Sequence, residues 1–192
     1  PVKTLAILLA RQGDREACQS VVQDALKRIE QPLAQHELGL FLADIYRAWD
    51  EKDKAYQLLD TLAQKMPSNI TIKSRLLKFE QVAESEQRSQ QIIDQIKDVE
   101  GQDGRRWRYE QARLWFVGDD FKNKYSQIIS LLKDNLSANP DDQESRMLLA
   151  SAYERAGELH LAVSTYRQAY NRSPHSLPVI TSIVAILYKA KE

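Results

Sequence analysis

The sequence predicts an all-α fold built from repeated helical hairpins. Three observations lead there. The chain of 192 residues is 43% hydrophobic and 28% charged, with only 6 Gly and 6 Pro. It is rich in Ala, Leu, Gln, Glu and Lys, which favour helix. Apolar residues recur at helical spacing in segment after segment. Pro140 and Pro174, 34 residues apart, close two successive segments in the same phase, because proline cannot continue a helix interior.

The clearest hairpin runs from Gln143 to Pro174. Ala150 is small where two helices would cross, so their backbones approach closely. Tyr153 and Tyr166 fill the layer beside that crossing, and Ala162 and Ala169 are small on the second helix. Gly157 suits the left-handed conformation that ends a helix, and Pro174 ends the unit. This span resembles one tetratricopeptide repeat (TPR), a helix–turn–helix of about 34 residues. Arg146 stands where that motif has Trp. The resemblance, to a bacterial-type TPR array, implies a right-handed superhelix (α-solenoid) of about five and a half such hairpins.

Laid along the chain, the motif divides residues 1–192 as one repeat domain into 1–34, 35–69, 70–102, 103–142, 143–176 and a half repeat, 177–192. In the first repeat, Leu5, Ala6 and Leu9 match Leu149, Ala150 and Tyr153. Gly13 sits in the turn, and Cys18, Val22 and Ala25 repeat the roles of Ala162, Tyr166 and Ala169. Cys18 is thus read as a small buried residue. In the second, Leu42, Ala43 and Tyr46 mark the first helix and Ala55 and Leu59 the second. Leu62 and Ala63 share the last packing position, Gly39 replaces the Trp, and Asp50 replaces the turn Gly. Trp49 is read as packing.

The third repeat is eroded. Ile70, Ile72, Leu76, Leu77, Phe79, Val82 and Ala83 form one apolar-periodic segment, and Ile92, Ile93, Ile96 and Val99 another. Gly101–Gly104, the one two-glycine cluster, is the expected bend in the stack. In the fourth repeat, Ala112 and Trp115 are the crossing and filling residues, and Ile128, Leu131, Leu132 and Leu136 the opposing face. Between Trp115 and Ile128 stand about four residues more than the simple pattern holds, so Gly118–Tyr125 enlarges the turn or lengthens a helix. In the half repeat, Leu177, Ile180, Ile183, Val184 and Leu187 carry the phase.

Charge and motifs exclude several classes. The 27 basic and 27 acidic residues give zero formal net charge, without the basic excess of a nucleic-acid binder. The single Cys precludes an internal disulfide or a multi-cysteine metal site. No apolar run approaches the roughly 18 residues of a membrane span, so direct membrane insertion is not expected. Phosphate-binding, dinucleotide, zincin and nucleophile-elbow signatures are absent. His36, His160 and His175 are scattered, and the Asp119-Asp120 and Asp141-Asp142 pairs read as helix N-terminal charge. The expectation is no enzyme, no cofactor and no metal.

One stretch stands out, Arg105–Phe116 (RRWRYEQARLWF). On a helix, Arg106, Tyr109, Arg113 and Phe116 share one face, and Arg108, Ala112 and Trp115 the adjacent one. If Ala112 and Trp115 face the core, the first set faces the concave surface, which first helices line in TPR proteins and where they bind peptides. Arg beside aromatic residues suits acidic or aromatic peptides. By the same phase Asp44 and Arg47, Lys78 and Gln81, and Ser151 and Arg155 line neighbouring rungs. The groove candidates are therefore Arg47, Lys78, Arg106, Tyr109, Arg113, Phe116 and Arg155. A TPR subclass that clamps C-terminal carboxylates needs Asn where Ile7, Asp44 and Ser151 stand here, so the resemblance does not extend to it.

The implied function is a scaffold for a protein or peptide partner. Two alternatives follow from the ends. The first and last helices are apolar nearly all round, whereas solenoids normally end in polar caps. This suggests self-assembly, as a homodimer through terminal helices, or an excerpt that serves as the regulatory repeats of a larger enzyme or secretion or assembly factor. The compartment, cytoplasmic or periplasmic, is left open.

Overall fold

A computed structural model describes residues 2–190. The described residues hold twelve helices and no strand, and the chain divides into two compact units, Pro1–Ser85 and Glu86–Glu192.

The first unit contains α1 (Val2–Arg11), α2 (Arg15–Arg28), α3 (Pro32–Ala48), α4 (Lys52–Lys65), α5 (Ile70–Leu76) and α6 (Glu80–Ala83). Ala6, Cys18, Val22, Leu42, Ala43, Tyr46, Ala55 and Leu59 are buried at the expected positions. The Cys18 thiol is pushed up by burial and by nearby Asp14, so it is poor in thiolate and inert. Both hairpin turns close alike. Gly13 (φ 81°) and Asp50 (φ 61°) take the left-handed conformation. The N–H that follows each donates back five residues, Asp14 to Leu9 O at 3.0 Å and Glu51 to Tyr46 O at 2.8 Å, as in a Schellman closure. Leu62 fills the space of the missing Trp, since a Cβ on Gly39 would lie 2.4 Å from Leu62 Cδ1. Trp49 packs edge-on to Tyr46 with ring centroids 6.4 Å apart, under the Arg15 guanidinium.

The apolar segment Ile70–Ala83 is not one helix. It breaks between α5 and α6, where Phe79 is extended (φ −92°, ψ 141°). A continuous helix would spread Leu76, Leu77, Phe79 and Val82 around its whole circumference. The break lets all four be buried, with Phe79 packed on the Tyr56 ring at 5.8 Å.

The second unit contains α7 (Glu86–Glu100), α8 (Arg105–Val117), α9 (Phe121–Ala138), α10 (Gln143–Arg155), α11 (Leu159–Arg172) and α12 (Leu177–Ala190). Its core joins Ala112, Phe121, Ile128, Leu132, Leu149, Ala150, Tyr153, Ala162, Tyr166 and Ile186. The α10–α11 turn repeats the closure of the first unit, with Gly157 at φ 83° and Glu158 N–H donating to Tyr153 O at 2.9 Å. Asp142 caps α10 by accepting from Ser145 N–H at 3.1 Å. Arg146, in the place of the Trp, is 4% exposed and donates to Pro140 O and to Gln143 Oε1. Burial and the neighbouring Arg172 pull its guanidinium below the ordinary arginine range.

Two expectations change here. The division between the compact units falls at Ser85–Glu86, so the Gly101–Gly104 connector lies within the second unit, where it is pinned. Glu100 accepts from the N–H groups of Arg106 (3.2 Å) and Trp107 (2.8 Å), and the Trp107 indole donates to Gly101 O at 2.9 Å. Trp107, given no role by the pattern, is the most buried aromatic of α8, whereas Trp115 is half-buried. In α12 the buried positions are Val179 and Ile186, with Ile183 packed between them, while Leu177 and Val184 are 69% and 60% exposed. A helix apolar nearly all round carries no phase of its own; the stripe Val179–Ile183–Ile186 is set by packing on α11.

Candidate functional site

The expected groove residues fall into three groups with different chemistry. The α8 arginines do not present free charge. Glu110, one turn along the same helix, is fully buried. Arg106 Nη2 lies 3.0 Å from Glu110 Oε1, and Arg113 Nε donates to Glu110 Oε2 at 2.8 Å. Arg106 also donates to Glu144 Oε2 of α10 at 2.7 Å and lies over the Tyr109 ring at 5.3 Å. The Tyr109 hydroxyl is raised by burial and by Glu144 and Glu110. A buried carboxylate demands such partners, so Arg106, Tyr109 and Arg113 form a structural cluster. Glu110 was legible in the sequence: it lies four residues after Arg106 and three before Arg113, the helical ion-pair spacing.

Arg47 and Lys78 are arranged differently. Both are exposed and line one open cleft of about 990 Å³ in the first unit, between the end of α3, the start of α4 and the α5–α6 break. Around them the charges pair off: Arg75 with Asp44 (2.6 Å), Lys54 with Glu51 (2.9 Å) and Lys52 with Glu80 (3.4 Å). Gln81 donates to Asp53 at 2.8 Å. Neither Arg47 nor Lys78 meets a carboxylate among the described residues.

Phe116 and Arg155 make a third arrangement in the second unit. The Arg155 guanidinium lies 4.3 Å from the Phe121 centroid and 5.6 Å from that of Phe116, and donates to Phe116 O. Ser151, on the preceding turn of α10, is held between Met147 O and the Tyr166 hydroxyl. Phe121, absent from the groove set, completes the site because α9 begins one turn earlier than the repeat pattern requires.

Among the described residues no group of three His, Cys, Asp or Glu could hold a metal ion. No helix there is long and apolar enough to cross a membrane.

Paired antiparallel helices, closed by left-handed turns and packed through small crossing residues, define a helical-repeat protein. The fold is that of TPR proteins. A thermophilic TPR protein of Thermus thermophilus matches with a TM-score of 0.67 at 19% identity, over 97% of each chain. A TPR protein of Parabacteroides merdae matches with a TM-score of 0.67 at 12% identity, over 97% of this chain and 71% of that one. PilW, described as a widely conserved type IV pilus biogenesis factor, matches with a TM-score of 0.64 at 16% identity, over 98% and 88%. No family model and no curated protein matches the sequence.

Proposed function

We propose that the chain is a non-enzymatic scaffold that binds a protein or peptide along the faces of its first helices. The observation that carries this reading is the cleft holding Arg47 and Lys78: two exposed cations that form no ion pair among the described residues, in a recess of about 990 Å³ whose other cations are already paired. A partner carboxylate would pair with these two groups, with Arg47 offering bidentate geometry. Similarity in fold to TPR proteins supports the scaffold class. The test is a pull-down with the native chain and with the double variant Arg47→Glu, Lys78→Glu. Both side chains are exposed, so the variant folds. Partners captured by the native chain are lost by the variant; an identical set of partners overturns the assignment.

A second reading is self-assembly through the terminal helices. It is favoured by the exposure of Leu5 (47%), Ile7 (42%) and Leu8 (51%) on α1 and of Val184 (60%) and Tyr188 (88%) on α12, surfaces that water solvates poorly. Sedimentation equilibrium then shows a concentration-dependent dimer, abolished by Leu8→Glu or Val184→Glu. A monomer at all concentrations removes this reading.

A further inference from the structure

We infer that the pocket bounded by Phe121, Lys122, Tyr125 and Arg155 is a seat for a peptide that presents an apolar side chain beside a carboxylate. The inference deepens the scaffold reading, on which it rests. It concerns the second unit, whereas the Arg47–Lys78 cleft belongs to the first.

The pocket exists because one hairpin departs from the repeat. The second helices α2, α4 and α11 each have 14 residues, whereas α9 has 18. The added turn lies at its N-terminus and carries Phe121, with Tyr125 following it. The turn before it lacks the left-handed residue of the other three hairpins; Gly118 is extended at φ −69°, ψ 166°. The chain therefore swings wide there and leaves a recess of about 600 Å³, lined by Asp119, Phe121, Lys122, Tyr125, Arg155 and Ala156. That volume is in the range that holds a small ligand or a side chain with its flanking backbone.

The walls specify the ligand. Phe121 stands edge-on to Phe116 with centroids 5.9 Å apart and tilted against Tyr125 at 5.8 Å, which makes an aromatic floor. The Tyr125 hydroxyl is bonded to Glu158 and, being half-buried, is held in its neutral form. Arg155 lies over the Phe121 ring and is oriented by two carbonyls, Phe116 O and Gly118 O (3.4 Å). Carbonyls orient a guanidinium without neutralising it. Neither Arg155 nor Lys122 forms an ion pair among the described residues; Asp119 is the one acid in the lining, and the Glu158 carboxylate is already bonded to the Tyr125 hydroxyl. A guanidinium already held over a ring and oriented by carbonyls loses little freedom on pairing with a carboxylate. An apolar side chain next to that carboxylate would lie on the Phe121–Tyr125 floor. A basic peptide would meet two like charges, and a wholly apolar one would leave both cations unpaired.

The test uses the full chain, labelled with ¹⁵N, and the blocked peptide acetyl-Glu-Leu-Glu-Phe-amide as probe, with its Lys-for-Glu counterpart as control. The acidic peptide saturably shifts the amides of residues 119–125 and 155–156, and the basic one does not. Arg155→Met, which keeps the stem but removes the charge, and the surface change Lys122→Glu each weaken binding about tenfold. Lys133→Glu, an exposed change outside the pocket lining, leaves probe binding unchanged. Absence of a saturable shift at these amides, equal shifts with both peptides, or undiminished binding in both variants overturns the inference. If the probe is lost only with the Arg47 and Lys78 changes, the pocket assignment falls while the scaffold reading stands.

Discussion

The two compact units use their arginines differently. In the second, Arg106 and Arg113 reach from α8 to a carboxylate on their own helix, Glu110, which is fully buried. In the first, Arg47 and Lys78 face an open cleft while the charges around them pair with one another. Both sets lie where a first-helix face of a TPR hairpin is expected to recognise ligands. Only one set lies outside an ion pair among the described residues. Helical spacing places a cation on a face; whether the cation is available depends on the nearest carboxylate and on how deeply that carboxylate is buried.

The sharpest way to break this comparison is to remove the carboxylate. Glu110→Ala leaves two half-buried guanidinium groups repelling each other. It is expected to destabilise the chain by about 3 kcal/mol, read as a lower urea midpoint with the slope unchanged. The matching change in the first unit, Asp44→Ala, removes a pair whose side chains are 32% and 52% exposed and shifts stability by less than about 0.5 kcal/mol. Equal effects would mean that the two arginine sets are not different in kind.

Alkaline titration is the next test. Burial raises the hydroxyls of Tyr109, Tyr125 and Tyr166 in the second unit and of Tyr46 in the first. The folded state then keeps protons that the unfolded state gives up near the ordinary tyrosine value of 10.0. The stabilisation is fully present below that pH and is lost as pH rises through the folded-state values. With three of these tyrosines, the second unit has more to lose. Hydrogen exchange followed through this range should show α8–α11 opening before α1–α4. The reverse order would place the coupling in the first unit.

The sequence carried the architecture well where packing follows period. The Ala and Tyr residues of Gln143–Pro174, and their counterparts around Leu42 and Cys18, are buried as the spacing requires. The lengthening of α9 was likewise visible as about four surplus residues between Trp115 and Ile128. It was less legible where apolar residues crowd every face. Ile70–Ala83 breaks because no one stripe could bury Leu76, Leu77, Phe79 and Val82 together, and α12 takes its phase from α11. The ion pairing on α8 was hidden for a different reason. Arg106, Tyr109, Arg113 and Phe116 do share a side of α8, but the pattern does not reveal that Glu110 turns inward and draws two of them with it. Nor does it reveal that Glu100 and Trp107 hold the Gly101–Gly104 connector by hydrogen bonds.

The smallest expected effect sharpens the comparison from the other unit. Asp50 holds φ 61° at the α3–α4 turn, where the sister turns have Gly13 and Gly157. A left-handed backbone is strained for a residue with a Cβ, though Asp tolerates it better than most. Asp50→Gly should therefore stabilise the first unit by about 0.5 kcal/mol. The same change takes an acid off the wall of the cleft that holds Arg47 and Lys78. Association with the partner captured through those two residues should then become faster and more sensitive to salt, because the local field turns more positive. The α8 cluster provides the control, since Glu110 already neutralises its arginines and the Asp50 change does not alter their pairing. A gain in stability without a gain in association rate would leave the turn chemistry intact and remove Arg47 and Lys78 from recognition.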